Sequence, residues 1–378
     1  MADETVGLMC CGGEAGAAWG DELARAGLAV RLVRRPAEAA GLRVLMVHAR
    51  DADGARDALR EVTGRAESAT PVLVVLDAGD SSDRAAMLES GADDCVTEPV
   101  SPRELGARIG RLIGMADMAR ETARHSAVLS REMAHARRVQ RHILPLEPPH
   151  VDGVQIVAEY VPATDIGGDL FDIIPLEPGR VAFFMADVAG HGIGAALNTM
   201  VIKSQLSIWG KPGITVTETL GMLNNHLFAL TDLDYATAVY AILDVPSRQL
   251  EYAVAGHPNP LLLRRDEAVR MLEVSRLPAS SSGFRAGLPL GLFEDGIYVS
   301  ERVQLVPHDR VLLFTDGVIE WRDGEDNLLG MEGLRTLLEA SGGQPLKAQV
   351  PWVLDQLKSL SPGQPPADDV NLLAFEVE

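Results

Sequence analysis

Four short acidic segments beyond residue 166 have the residue types of a divalent-metal site. They are Gly167–Asp172, Asp187–Gly192, Thr315–Gly317 and Asp368–Asn371. The second and third segments follow apolar runs that predict strands, and the fourth precedes the last such run. Carboxylates at strand ends, freed by glycine-rich turns, can converge on one side of a sheet, and such hard oxygen ligands suit Mg²⁺ or Mn²⁺ rather than Zn²⁺.

Each acidic segment taken alone also fits a simple turn, because Asp followed by Gly is a common turn pair. The ordered set of four favours a metal site instead.

The order of these segments, together with Ala136–Pro145, Ala255–Pro258 and Pro289–Gly291, resembles a known enzyme family. It is the PPM family of metal-dependent Ser/Thr protein phosphatases, in the bacterial branch typified by SpoIIE and RsbU. The resemblance covers nearly all of residues 150–378. The strand-rich pattern from Val151 onward itself predicts an α+β fold in which helices flank a β-sandwich. The resemblance implies a phosphatase that requires two Mn²⁺ or Mg²⁺ ions. Two such cations about 3.5–4 Å apart would acidify a shared water and neutralise phosphoryl charge, which allows in-line hydrolysis without a covalent phosphoenzyme.

The resemblance also implies individual roles for the acidic residues. Asp187 would bridge the two metals, and the main-chain carbonyl of Val188 would join one of them. Asp316 and Asp368 would bind the other side of the pair.

Further candidates lie beside these ligands. Asp169 would hold metal-bound waters or bind directly, Asp369 is an additional candidate ligand, and Asn371 stands where this branch usually carries Thr. Protonation of the leaving group could come from a metal-bound water or from a histidine, of which His191 is nearest in sequence. A packing role is the alternative for His191, and it is favoured for His257.

The segment from Val151 to Asp169 contains no arginine. Eukaryotic relatives of the resembled family hold phosphate with an Arg there, so phosphate binding here would depend on metals and backbone N–H groups. We therefore expect a dedicated protein substrate, which in the resembled branch is a phosphorylated STAS-type anti-sigma-factor antagonist. A pseudophosphatase that binds a phosphoprotein without turnover, and a hydrolase of small phosphate esters, are the alternatives.

The first part of the chain alternates short apolar strands with helical stretches, which predicts a doubly wound α/β sheet. This order, with Gly91–Asp94 and then Glu98-Pro99, resembles the receiver domain of two-component response regulators. We assign residues 1–114 to a receiver-like domain.

The residues of receiver phosphorylation chemistry are missing from this domain. Receivers use an acidic pair after the first strand, an Asp after the third strand and a Lys before the late proline. Here the third strand ends at His48-Ala49, and Glu98 stands at the Lys position. Asp51 and Asp53 are possible substitutes, but they are expected in a loop beyond the strand end. We therefore predict a pseudo-receiver.

Residues 115–146 predict a linker helix, because they contain no Gly or Pro before Pro145 and are rich in helix formers. An imperfect seven-residue a/d pattern runs through them, with His125 and Glu132 at two of the d positions. The other positions hold Met115, Met118, Thr122, Leu129, Ala136, Val139 and Ile143. An amphipathic connector and a parallel coiled coil that makes a homodimer both fit this pattern. The phosphatase domain is assigned to residues 147–378.

Composition narrows the partners and the location of the protein. With 34 Lys+Arg and 54 Asp+Glu the formal net charge is -20, which disfavours nucleic acid and membrane surfaces as partners. The three cysteines have neither metal-binding nor redox spacing. No apolar run approaches the ~18 residues of a membrane span. These features predict a cytoplasmic protein.

Overall fold

The structure is a computed structural model, and it describes residues 5–11, 15–25, 27–39, 41–63, 70–164, 166–190, 192–230, 235–274 and 287–378. The chain divides into two compact units, Met1–Ser130 and Arg131–Glu378. One long helix contributes residues to both.

The N-terminal unit contains a parallel sheet with helices on its two faces. Its elements are β1 (Thr5–Cys11), α1 (Ala15–Arg25), β2 (Ala29–Leu32), a 3₁₀ turn (Pro36–Ala39), β3 (Val44–Ala49), α2 (Ala52–Thr63), β4 (Val72–Leu76), α3 (Ser81–Glu89), β5 (Asp94–Thr97) and the first part of α4 (Pro102–Ile143). The strand order is β2-β1-β3-β4-β5. This is the order of a doubly wound fold, so the predicted α/β class is confirmed.

The two faces of this sheet are covered because successive residues of a strand point in opposite directions. Leu45 and Val47 of β3 pack into one apolar cluster, while Val44 and Met46 pack into the other. All six residues of β3 are buried. A central parallel strand covered on both faces has this continuous apolar pattern.

The loop after β3 contains only residues 50 and 51, so it is shorter than expected. Helix α2 begins at Ala52, directly after Asp51, and Oδ1 of Asp51 accepts a hydrogen bond of 2.9 Å from the backbone N–H of Gly54. Asp53 lies in the first turn of α2 and forms an ion pair with Arg56. The expected loop position is therefore confirmed for Asp51 and wrong for Asp53, because the sequence signal for α2 was not recognised. Both carboxylates are occupied at the helix start.

Helix α4 is a single element of 42 residues. It joins the last helix of the receiver-like region and the predicted linker helix without a break. It ends at Ile143, because Leu144 precedes Pro145 and a residue before proline disfavours the helical conformation. Its exposed apolar side chains include Met115, Met118 and Leu129. Among the described helices, none combines the length and the apolar character needed to span a membrane.

The C-terminal unit is a sandwich of two antiparallel sheets. Its elements are β6 (Val154–Val161), β7 (Asp169–Glu177), β8 (Arg180–Val188), α5 (Ile193–Trp209), α6 (Val216–Ala229), β9 (Ala236–Asp244), β10 (Gln249–Ala255), β11 (Leu261–Leu263), β12 (Arg270–Met271), β13 (Ser300–Gln304), β14 (Arg310–Phe314), α7 (Asp316–Ile319), α8 (Gly330–Ser341), α9 (Leu346–Leu360) and β15 (Val370–Val377). The sheet orders are β13-β10-β9-β8-β7 and β12-β11-β14-β15-β6.

The core of the sandwich lies between the two sheets. The rings of Phe183 in β8 and Phe375 in β15 stack with their centroids 4.2 Å apart. Helices α5 and α6 contact the first sheet, and α9 contacts the second. The predicted sandwich flanked by helices is therefore present, and it brings the strand ends of the two sheets to one edge.

Candidate metal centre

Asp169 and Asp187 face each other across a pair of antiparallel strands. Asp169 opens β7, Asp187 is the penultimate residue of β8, and the two are direct register partners. Directly opposite residues of an antiparallel pair point to the same face. Asp169 is only 1% exposed. The sequence pattern suggested a glycine turn at Asp169, whereas the structure begins a strand there.

Asp316 and Asp368 come from the other sheet. Asp316 opens the one-turn helix α7 just after β14, and Asp368 lies shortly before β15 and is exposed. Strands β14 and β15 are antiparallel neighbours, so the end of one meets the start of the other. Gly317 is required at this junction, since a Cβ there would collide with the backbone carbonyl of Asp369.

Electrostatic coupling shows that these carboxylates converge. The pKa of Asp187 is raised to about 7, first by burial and then by the charges of Asp316, Asp368 and Asp369. Burial also raises the pKa of Asp169, with further contributions from Asp187 and Asp369. The pKa of Asp316 is raised by burial and then by Asp368. Carboxylates from both sheets therefore repel one another at one place.

This donor set fits divalent cations. The ligand atoms are carboxylate oxygens, which suit Mg²⁺ or Mn²⁺. Bound cations would also relieve the repulsion that raises the pKa of Asp187.

The carboxylate of Asp369 is occupied by backbone donors. Its Oδ1 accepts a hydrogen bond from the N–H of Ala163 at 2.8 Å, and its Oδ2 accepts from Gly168 at 2.6 Å and from Asp169 at 3.3 Å. Burial raises its pKa, and these hydrogen bonds oppose that change. Charge-assisted bonds of this kind are strong. Asp369 therefore fixes the segment that leads into Asp169.

A buried polar network connects the second sheet to Asp169. Nδ2 of Asn371 donates a hydrogen bond of 3.0 Å to Oδ2 of Asp169. Oγ1 of Thr315 accepts from the backbone N–H of Asn371 at 3.0 Å and donates to the carbonyl of Asp369 at 3.3 Å. The sequence pattern identified Asn371 only as a departure from the family, and it gave no role to the Thr315 hydroxyl.

Sequence reasoning missed two more neighbours of this segment. Gln140, buried near the end of α4, donates from Nε2 to the carbonyl of Gly167 at 2.6 Å and accepts from the Gly167 N–H at 3.1 Å. Gln140 stands among Arg137, Arg138 and Arg141, so the local sequence gave no signal for this contact. The hydroxyl of Tyr160 is buried without a hydrogen-bond partner among the described residues. Burial and then the charges of Asp369 and Asp169 raise its pKa.

Two other candidates have partners of their own, and a third cannot be placed. Asp172, in the first acidic segment, forms an ion pair of 2.5 Å with Lys203 and so attaches α5 to β7. Nδ1 of His257 lies 2.8 Å from Oγ1 of Thr237, and burial lowers the pKa of His257 to about 3. A histidine that stays neutral is a poor general acid at neutral pH. His191 lies outside the described residues.

The comparison with protein families agrees with this geometry. A family model described as Stage II sporulation protein E (SpoIIE) matches residues 177–378. The chain belongs to the SpoIIE family. The matched region contains Asp187, Asp316, Asp368 and Asp369, whereas Asp169 lies ahead of it.

Two curated relatives come from Bacillus subtilis. The phosphoserine phosphatase RsbP is 32% identical over 195 residues, which cover 50% of this chain and 45% of RsbP. The phosphoserine phosphatase RsbU is 29% identical over 250 residues, which cover 65% of this chain and 71% of RsbU. This SpoIIE-family chain thus spans about half the length of RsbP and more of RsbU.

Solved structures share the fold of the C-terminal unit. The RsbU and RsbW domains of Rv1364c from Mycobacterium tuberculosis are 28% identical, with a TM-score of 0.51 over 62% of this chain and 63% of that one. The SiaA PP2C domain of Pseudomonas aeruginosa is 22% identical, with a TM-score of 0.57 over 67% of this chain and 99% of that domain. The latter similarity concerns the fold alone.

The N-terminal region also has relatives of its own. The transcriptional regulatory protein GltR of Pseudomonas aeruginosa is 37% identical over 99 residues, 24% of this chain and 41% of GltR. This match supports the receiver-like assignment of the N-terminal region.

Proposed function

We propose that this protein is a cytoplasmic phosphoprotein phosphatase that removes phosphate from serine or threonine and requires Mn²⁺ or Mg²⁺. The observation that carries the proposal is the convergence of Asp187 with Asp316 and Asp368, which come from the strand ends of two sheets. Membership of the SpoIIE family supports the same activity, as do the names of RsbP and RsbU as phosphoserine phosphatases.

The acidic residues would have two roles, which are cation binding and water binding. Asp187, Asp316 and Asp368 would hold two cations, with the main-chain carbonyl of Val188 as a further ligand. When bound, a pair of divalent cations acidifies water and neutralises charge on a phosphoryl group. Asp169 would accept hydrogen bonds from water in the centre, and its hydrogen bond with Asn371 orients it for that role.

The substrate is a phosphorylated STAS-type anti-sigma-factor antagonist or a similar phosphoprotein. A chain with a net charge of -20 repels a free phosphate ester, so a protein substrate has to supply contacts away from the phosphate. Ile193 and Leu197 support this interpretation. They lie four positions apart at the start of α5, just after the Asp187 segment, and are 50% and 56% exposed.

Phosphate release from three kinds of substrate tests the proposal. Phosphorylated STAS-type antagonists from the same genome, phosphoserine peptides and p-nitrophenyl phosphate are compared with Mn²⁺ present. We expect kcat/KM to be on the order of 10²-fold higher for the phosphoprotein, because remote contacts contribute binding energy. Equal values would favour a hydrolase of small esters. Binding of the phosphoprotein without release would favour the pseudophosphatase.

We also propose that the pseudo-receiver regulates the phosphatase through α4, which forms a coiled coil in a homodimer. Exposed Met118 and Leu129 on the a/d pattern support the dimer, and the contact of Gln140 with Gly167 supports regulation at the end of the helix. In the full chain, the double change Met118→Glu and Leu129→Glu should lower both the mass measured by light scattering and the Mn²⁺-dependent rate. If both stay at the wild-type values, this proposal is wrong.

A further inference from the structure

A second group of metal-ligating side chains lies at the carboxyl edge of the parallel sheet in the N-terminal unit. His48 is the penultimate residue of β3, Asp77 follows β4, and Glu98 follows β5. The backbone N–H of Asp77 donates to the carbonyl of Ala49 at 3.0 Å, and that of Glu98 donates to Leu76 at 2.8 Å. The ladder of the sheet therefore fixes the positions of all three residues, which we call the sheet-edge triad.

The ligand atoms of the sheet-edge triad are close enough for one cation. Nε2 of His48 lies 2.7 Å from Oδ1 of Asp77 and 3.4 Å from Oε1 of Glu98. All three atoms lie within 4.8 Å of one another. A cation held at about 2.0–2.2 Å from each ligand needs ligand atoms roughly 3–4 Å apart. The distance from His48 to Asp77 is shorter than this, so the Asp77 oxygen would have to move outward, and the Asp77 side chain is 38% exposed.

His48 provides an independent indication of a ligand. It is 2% exposed, and in the described part of the chain its Nε2 makes no hydrogen bond of acceptable geometry, although two carboxylates are near. A buried polar atom without a hydrogen bond is costly, and such atoms are rare in folded proteins. A cation between His48 and the carboxylates would satisfy this nitrogen.

The surroundings of the sheet-edge triad orient its ligands. Nε1 of Trp19 donates a hydrogen bond of 3.1 Å to Oε1 of Glu98, and the Trp19 ring lies 6.3 Å from the His48 ring between centroids. Outer contacts of this kind hold the ligands of metal sites in place. Trp19 is itself buried in α1.

We propose that the sheet-edge triad binds one divalent transition-metal ion of the Zn²⁺ class, with the remaining positions open to solvent. An imidazole nitrogen with two carboxylates suits Zn²⁺ rather than Mg²⁺, which prefers oxygen alone. This site is chemically distinct from the all-oxygen centre at Asp187. The proposal goes beyond the phosphatase function and does not depend on it.

Zn²⁺ binding to the full chain tests the proposal. Equilibrium dialysis is run near neutral pH with excess Mg²⁺, in an Asp187→Asn background that disables the other centre. We expect about one Zn²⁺ per chain, and His48→Gln or Glu98→Gln should weaken binding by roughly 10- to 100-fold. Glu89→Gln, which changes an exposed carboxylate of the same unit, is the matched control and should bind as the background does.

Co²⁺ provides a second readout, because its visible absorption changes when a nitrogen ligand is lost. The Co²⁺ spectrum should change in His48→Gln and stay unchanged in Glu89→Gln. If His48→Gln does not fold, as judged by circular dichroism, the partly exposed Glu98 provides the test through Glu98→Gln. Zn²⁺ bound equally by all variants is adventitious, and it would overturn the proposal. Failure of the background protein to bind Zn²⁺ would also overturn it and leave His48 as an ion-pair partner.

Discussion

The side-chain amide of Asn371 donates a hydrogen bond of 3.0 Å to the carboxylate of Asp169, although the two residues lie 202 positions apart in the chain. Asn371 belongs to β15 and Asp169 opens β7, so this bond links the two sheets at the metal centre. Asn371 departs from the residue type that the resembled family has at this position. Its role here is to orient the buried carboxylate of Asp169.

Replacing Asn371 tests that task. Asn371→Ala leaves an oxygen of buried Asp169 without its donor, so we expect Mn²⁺-dependent kcat/KM to fall by about 10- to 100-fold, as for other residues that orient metal-site groups. Asn371→Thr, which restores the residue type of the family, keeps a donor and should stay within about threefold of wild type. Wild-type activity in Asn371→Ala would show that the bond does not matter for the centre.

Asp187 should destabilise the metal-free chain at high pH. Its pKa is about 7 in the folded protein, whereas the ordinary value is 3.8, so the folded chain binds more protons than the unfolded chain between these values. Stability contributed by this group is therefore lost as pH rises from about 4 to about 7. With EDTA at pH 8, Asp187→Asn should be more stable than wild type by on the order of 2 kcal/mol.

Urea denaturation at several pH values measures this effect. The difference between Asp187→Asn and wild type should shrink toward pH 4. Asp172→Asn is the matched control, because it leaves partly buried Lys203 without its partner and should destabilise the protein. A difference that is absent, or that is constant from pH 5 to pH 8, would contradict the convergence of charge at Asp187.

The adjacent residues Asp368 and Asp369 should respond differently to the same substitution. Asp369→Asn places amide hydrogens against backbone donors and should cost about 1–3 kcal/mol of unfolding free energy. Asp368 is exposed, so Asp368→Asn should leave stability nearly unchanged and raise the Mn²⁺ concentration needed for half-maximal activity. Urea midpoints and Mn²⁺ titrations separate the two, and a reversed pattern would exchange the roles assigned to these residues.

Gly317 is predicted to tolerate no side chain. A Cβ at Gly317 would collide with the backbone carbonyl of Asp369, so Gly317→Ala must displace Asp316 or β15. We expect a loss of about 2 kcal/mol or more and of most Mn²⁺-dependent activity. Gly221 in α6 has open space around it, so Gly221→Ala should be neutral or stabilising by up to about 1 kcal/mol. Equal thermal midpoints for the two variants would rule out the predicted clash.

Local sequence was sufficient for the parts of the fold that have local signals. Continuous apolar runs predicted buried strands such as β4 and β8, and Asp187 and Asp316 were found because they lie at the ends of such runs. The helix over Met115–Ile143 follows from the absence of Gly and Pro, whereas its unbroken continuation from Pro102 through three glycines was not predicted. The two glycines before Asp169 fit a turn and the start of a strand equally well, so the sequence did not predict strand β7.

Contacts between distant positions could not be predicted from local patterns. Asp369 accepts from Gly168, 201 positions away, and only pairing of β15 with β6 brings it there. Gln140 is an ordinary helix former until the fold places it against Gly167. The aspartates themselves could be identified in the sequence. Whether one of them binds a cation or positions the backbone, as Asp369 does, depends on which backbone N–H groups the fold places against it.

The most direct test of the proposed metal-dependent phosphatase is release of phosphate from a phosphoserine protein while the metal-free chain is titrated with Mn²⁺. We predict that activity is absent with EDTA, saturates with two Mn²⁺ bound per chain, and falls on the order of 10³-fold or more in Asp187→Asn, which remains folded. Phosphate release at the wild-type rate in EDTA, or in Asp187→Asn, would contradict a catalytic metal centre built on Asp187, Asp316 and Asp368.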